Sequence, residues 1–175
     1  MLYYKRMSIN QKKYQNTILY LCESLGGSVS GKKKLAKLLY YVDFDRYEYK
    51  ESMVSVTGDS YKSWKMGPVP EQYMTIIDSL QSSDKLTITQ EGGDNGYSPT
   101  EVFTALKKPD MSVFDADDII ILERVVKTYG NLNGKQLENL THQEAPYVAT
   151  APDQVIDYEL AFYRETDFSN ALANA

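Results

Sequence analysis

Lys34-Leu35-Ala36-Lys37-Leu38-Leu39-Tyr40-Tyr41-Val42-Asp43 is the stretch on which the fold turns. Leu35, Leu38, Leu39 and Val42 recur at the three- and four-residue spacing of an α-helix. The spacing predicts a helix from about Lys32 to Tyr49, capped by Ser30. Tyr40, Asp43 and Tyr47 fall on a flank beside the apolar stripe. A carboxylate in that position caps, pairs with a lysine, or accepts a hydrogen bond from a Tyr or Trp donor.

Towards the N-terminus, residues 1–7 form a leader without periodicity. Ser8 is then the expected cap of a first helix bearing Tyr14, Ile18, Leu21, Cys22 and Leu25, ended by Gly26-Gly27. Towards the C-terminus, Met53–Thr57 and Ser60–Lys65 alternate in part around Gly58-Asp59, as the arms of a hairpin would. Gly67-Pro68-Val69-Pro70 breaks the chain before a third helix striped by Tyr73, Ile76, Ile77 and Leu80. Leu86–Thr89 and Glu101–Ala105 flank the turn-rich Gly92–Gly96 and predict a second hairpin. Asp115 and Asp118 cap a fourth helix, with Ile119, Leu122, Val126 and Tyr129 on one face and Gly130 stopping it. Asn133 caps a short fifth helix through Leu137 and Leu140, closed by Pro146, and Gln154–Arg164 suits a sixth. The expected fold is mainly α, about five to six helices with one or two small β-hairpins. It forms a single compact domain over residues 8–165, and residues 166–175 are a frayed tail.

The 175-residue chain, 42% hydrophobic and 25% charged, is long enough to bury a core and too apolar to be disordered. No window approaches the roughly 18 uninterrupted apolar residues of a membrane helix, and the start lacks the order of a signal peptide. A single cysteine, Cys22, excludes an intrachain disulfide and suits a reducing cytoplasm. Cys22 lies on an apolar stripe, the place for a buried thiol.

The net charge of −5 is uneven: residues 1–50 carry +6 and residues 51–175 carry −11. The halves can neutralise one another within the fold, or the acidic one can attract a basic partner. Lys32-Lys33-Lys34 with Lys37 is the sole basic cluster, and cations at a helix N-terminus oppose its dipole. They call for acidic residues from the C-terminal half or for an anionic partner. With a pI near 5.0 and no recognition helix, nucleic acid is not the expected partner. The 15 tyrosines suit either a recognition surface or a genome rich in Tyr, Lys and Asn codons.

Chemistry-bearing constellations are missing from the sequence. His142 is the only histidine and stands at a helix end, where bonding to free carbonyls is natural. One His and one Cys do not make a zinc site, and Gly92–Gly96 lacks the lysine and following helix of a phosphate loop. No catalytic, metal or cofactor residue is assigned, and an enzyme is not expected.

Two segments go beyond generic helix. Lys34–Asp43 is followed by Thr57-Gly58-Asp59 and Tyr61-Lys62-Ser63-Trp64-Lys65-Met66-Gly67-Pro68-Val69-Pro70. Later come Tyr129-Gly130 and Leu137-Glu138-Asn139-Leu140-Thr141-His142-Gln143-Glu144-Ala145-Pro146-Tyr147. This order resembles the Panacea domain of bacterial SocA-like antitoxins and their phage-associated relatives, over about residues 10–163. Tyr147 departs from the pattern, which commonly has Trp there. The resemblance implies a cytoplasmic antitoxin that binds and neutralises a protein toxin encoded beside it. Some relatives instead deliver the toxin to a protease, and others carry a DNA-binding domain that is not expected here. The candidate partner contacts are Tyr40, Asp43, Tyr47, Trp64, Lys65 and Tyr147. The Trp64–Pro70 turn reads first as scaffold, with Trp64 packed under a hairpin, and second as a docking edge.

Overall fold

A computed structural model describes residues 7–171. Helix α2, Lys32–Glu48, runs through the centre, and every residue from Leu35 to Tyr47 is buried. A helix enclosed on all sides has no solvent flank, so the expected stripe with Tyr40, Asp43 and Tyr47 beside it is corrected to burial all round. The enclosing elements are α4 (Ala116–Tyr129), α5 (Gly134–Thr141), a two-stranded ribbon and a 3₁₀ segment at Tyr158–Tyr163. Helices α1 (Gln11–Ser24) and α3 (Tyr73–Ser82) add a further layer.

Two caps move from their expected places. The cap of α1 is Asn10, whose side chain accepts from Lys13 N, and not Ser8. Ser8 instead lies against Gly58, whose φ is +77°; a Cβ there would sit 2.0 Å from the Ser8 carbonyl oxygen. Gly58 thus lets the backbone at Ser8 and Ile9 cross the loop. The cap of α2 is Gly31, not Ser30, because Ser30 belongs to strand β1 (Ser28–Ser30). The caps of α4 and α5 are those expected: Asp115 with Asp118 and Asn133 with Gln136 form reciprocal capping boxes. The buried face of α4 is Ile121, Leu122 and Val125, while Ile119, Val126 and Tyr129 of the expected face are half-buried.

The expected hairpin at Leu86–Ala105 is present as β4 (Leu86–Glu91) and β5 (Thr100–Ala105), and β1 completes an antiparallel sheet in the order β1-β5-β4. Three residues between Gly27 and Gly31 are too few for alternation to show. The other expected hairpin is displaced. Its strands are β2 (Tyr61–Trp64) and β3 (Gly67–Pro70), with Ser63 opposite Pro68 and Trp64 opposite Gly67. Met53–Thr57 forms no strand, because the Val56 and Thr57 amides donate to the Asp43 carboxylate instead of to a ladder. Ser63 N donates to Gln154 O and Ile156 N to Tyr61 O, so β2 is covered on its other side and the prolines of β3 occupy an edge. The expected sixth helix is therefore extended at its start and 3₁₀ at Tyr158–Tyr163. Pro146 opens a short helix α6 (Ala145–Val148) instead of closing a segment.

Of the leader, Met7 packs against the core, and residues 1–6 lie outside the described residues. In the segment expected as a tail, the Thr166 hydroxyl donates to Glu48, and the Phe168 ring meets Tyr49 at 5.3 Å; residues 172–175 lie outside the described residues.

Candidate partner-binding site

Half of the candidate contacts turn inward. Asp43 is fully buried and accepts from Val56 N (2.9 Å), Thr57 N (2.8 Å), Thr57 Oγ1 (2.5 Å) and Tyr61 OH (2.6 Å). Burial raises its pKa to about 6 against the pull of those donors. Asp59 similarly accepts from Tyr14 OH and from Gln72 N. The Asp43 and Thr57-Gly58-Asp59 motifs thus fasten α2 to the loop that follows it. Tyr40 is fully buried and donates to Glu144 Oε2 at 2.7 Å, and Tyr47 packs against Tyr158 and Phe162. All three side chains lie inside the fold and bond or pack against the protein's own groups.

The same inversion applies to tyrosine in general. Tyr14, Tyr40, Tyr41, Tyr47, Tyr49 and Tyr61 are core residues, while Tyr97 and Tyr163 are the prominently exposed ones. The rings supply apolar bulk, and the hydroxyls of Tyr14, Tyr40 and Tyr61 reach the carboxylates of Asp59, Glu144 and Asp43.

The basic cluster is also spent internally. Lys32 pairs with Glu101 and Lys33 with Glu138, while Lys34 donates to the Gly130 carbonyl. Lys37 is buried, donates to the Pro68 carbonyl at 2.7 Å, and has its pKa lowered to about 7 by desolvation. Gly67 makes room for it: at φ +94°, a Cβ would stand 2.8 Å from Thr141 Oγ1 and 2.9 Å from Lys37 Cε. Lys32 and Lys33 thus meet acids of the C-terminal half, and Lys34 and Lys37 meet backbone carbonyls of that half. Lys13 and Arg46 on Asp118, and Lys50 on Asp117, extend the pattern.

Trp64, Lys65 and Tyr147 turn outward and converge. Trp64 is 48% exposed, which overturns the reading that it packs under the hairpin. The turn joining β2 to β3 holds Trp64, Lys65 and Met66 above α6, and Tyr147 OH donates to Lys65 O at 3.4 Å. A groove of about 520 Å³ lies between them, lined also by His142, Val148 and Asp153. The His142 ring stacks on Tyr147 at 4.3 Å and 7°, with Nε2 buried and without a protein partner. His142 ends α5 as expected, but its ring serves the groove and not a free carbonyl. Val148 (68% exposed) lines the groove and Met66 (54%) stands exposed on the adjoining turn, and the sequence reading took neither as a contact. Each neighbours a motif residue, yet nothing in local spacing distinguishes an exposed rim from core.

Behind this groove, Arg164 ties the C-terminal segment to α2. Its Nη2 donates to Asp45 Oδ1 (2.5 Å) and Glu48 Oε2 (2.7 Å), and its Nη1 lies 3.6 Å from Glu144. Arg124 also pairs with Asp45.

The sequence model described as "Antitoxin SocA-like, Panacea domain" matches residues 35–147, from the first buried leucine of α2 to the tyrosine of the groove. The chain belongs to the SocA-like antitoxin family. The matched span holds α2 from Leu35 onward, the β2–β3 ribbon, α4, α5 and most of α6, while the 3₁₀ segment Tyr158–Tyr163 lies beyond it. No curated protein matches the chain significantly. Membership in this family points to an antitoxin-type role and to a protein as the partner. Among the described residues, no helix is long and apolar enough to cross a membrane, and no three His, Cys, Asp or Glu side chains gather as metal ligands. Cys22 is buried, with its thiol raised to about 12 by desolvation.

Proposed function

We propose that this chain is a non-catalytic cytoplasmic antitoxin that neutralises a protein toxin by binding it directly, with the Trp64–Tyr147 groove as the principal contact. The observation that carries the reading is the convergence of Trp64, Tyr147 and Val148 on one groove, on elements anchored by the buried Lys37–Pro68 bond and the part-buried Tyr40–Glu144 bond. An exposed aromatic and apolar patch on a rigid frame is what a binding hot spot requires. Membership in an antitoxin family supplies the class of partner. The product of the adjacent reading frame is the toxin to test.

Co-expression decides it. The chain should restore growth to cells making that product and should co-purify with it, and Trp64→Ala should lose both effects. A chain that neither relieves toxicity nor co-purifies would end the reading.

A further inference from the structure

A second groove, of about 510 Å³, opens at the C-terminal end of α2 and is lined by Glu48, Glu51, Met53, Phe162, Thr166 and Phe168. Its walls hold an unusual backbone. Of seven non-glycine residues with positive φ among the described residues, four stand here: Lys50 (53°), Glu51 (50°) and Met53 (55°) on one side, and Glu165 (53°) on the other. Left-handed geometry at such residues costs about 1 kcal/mol or more each and persists only where the surroundings enforce it. The enforcing contacts are visible. Met53 N donates to Tyr47 O, Ser52 Oγ to Arg46 O, and Thr166 N and Oγ1 to Glu48. The result of that strain is presentation: Met53 is 54% exposed and Val54 45% exposed, held out beside the Phe162 and Phe168 rings.

The charge at this mouth is acidic. Glu51 lines it and is exposed, as are Glu165 and Asp167 next to the lining residues Thr166 and Phe168; Arg124 lies 4.9 Å from the centre of the Phe168 ring, with its charge paired to Asp45. Glu48, at the floor, is already committed to Arg164 and Thr166. Lys50, the one cation beside Met53, is drawn away to Asp117 at 2.8 Å. Apolar walls of Met53, Phe162 and Phe168 beside exposed carboxylates fit a segment that offers an aliphatic or aromatic side chain next to a lysine or arginine, whose stem packs while its head meets the acids.

We infer that this groove is a second docking site on the antitoxin, and that it takes a basic, apolar segment of the same partner protein. The inference rests on the toxin-binding reading and adds to it a site at the far end of α2, joined to the first through Arg164, which spans Glu48 and Glu144. Both substitutions that test it fall on exposed side chains, so the fold is retained.

The test is calorimetric titration of the full chain with the adjacent frame's product at about 50 and 300 mM salt, using the unsubstituted chain, Met53→Asp, Glu51→Lys and Trp64→Ala. Circular dichroism confirms each variant's fold. Met53→Asp and Glu51→Lys should each weaken binding about tenfold or more, and Glu51→Lys should flatten the salt dependence. Binding within twofold of the unsubstituted chain for both, with Trp64→Ala impaired, would leave the first groove standing and overturn the second. An unsubstituted chain that fails to bind would remove the toxin-binding reading and this inference with it. A homodimer that Met53→Asp dissolves would assign the groove to a second copy and overturn the proposal. Tighter binding on deletion of residues 2–6, with Met53→Asp neutral, would assign it to the chain's own leader and do the same.

Discussion

Helix α2 and the turn at Trp64–Gly67 both carry residues of the family match, yet they meet their surroundings in opposite ways. Along α2 even the polar side chains are enclosed: Lys37, Asp43, Asp45 and Arg46 each spend their charge on a partner inside the protein. At the turn, Gly67 and Pro68 are buried while Trp64, Lys65 and Met66 project into solvent. One motif can therefore hold residues that make the frame and residues that the frame presents. Burial, and not motif membership, separates the two.

Substitutions can break that contrast. The largest effect is expected at Arg164, which is buried among Asp45, Glu48 and Glu144. Arg164→Met leaves these carboxylates without a shared cation and should lower stability by about 3–5 kcal/mol in urea unfolding. A loss under about 1 kcal/mol would mean that the C-terminal segment does not hold α2.

Asp43→Asn should cost about 1–3 kcal/mol, since the amide keeps one acceptor oxygen where two backbone amides and two hydroxyls now converge. Thermal melts of the pair at neutral pH measure it.

Lys37 contributes a pH dependence whose sign follows from its depressed pKa of about 7. An unfolded lysine holds its proton to about 10.4, so between those values the unfolded chain binds more protons and stability rises with pH. Below about pH 7 the native state carries the buried charge, and this gain is absent. Relative to Lys37→Met, the unsubstituted chain should therefore gain stability from pH 7 to 9, by at most about 1.4 kcal/mol per pH unit. Parallel unfolding curves for the two proteins across that window would contradict the burial of Lys37.

The smallest change in stability belongs to the other side of the comparison. Trp64→Ala should move the unfolding free energy by no more than about 0.5 kcal/mol while removing partner binding. A large loss of stability would return Trp64 to the frame.

Much of the frame was legible in the primary structure. The leucine spacing of α2, the capping boxes of α4 and α5, and the Leu86–Ala105 hairpin depend on neighbours a few positions apart, where periodicity and capping chemistry act. The order of the family motifs was legible for the same reason. For Asp43 a tyrosine donor was among the readings open to the sequence, and Tyr61 is that donor, but the full burial of Tyr40, Asp43 and Tyr47 was not legible. Asp45 meets Arg164 119 positions away, and Tyr40 meets Glu144 104 positions away, so no local pattern announces that these groups are satisfied. The hairpin at Met53–Lys65 failed similarly, because a carboxylate from α2 captured the amides that a strand partner would have needed.

The amino-acid sequence alone thus determined a mainly helical chain of the SocA-like family, because helix periodicity, capping and motif order are local properties. Tertiary structure alone decided that Tyr14, Tyr40, Tyr41, Tyr47, Tyr49 and Tyr61 belong to the core, that the lysine cluster is bonded within the molecule, and that Trp64 faces outward. Those outcomes depend on which distant groups share a low-dielectric interior, where burying a polar group without a partner costs free energy.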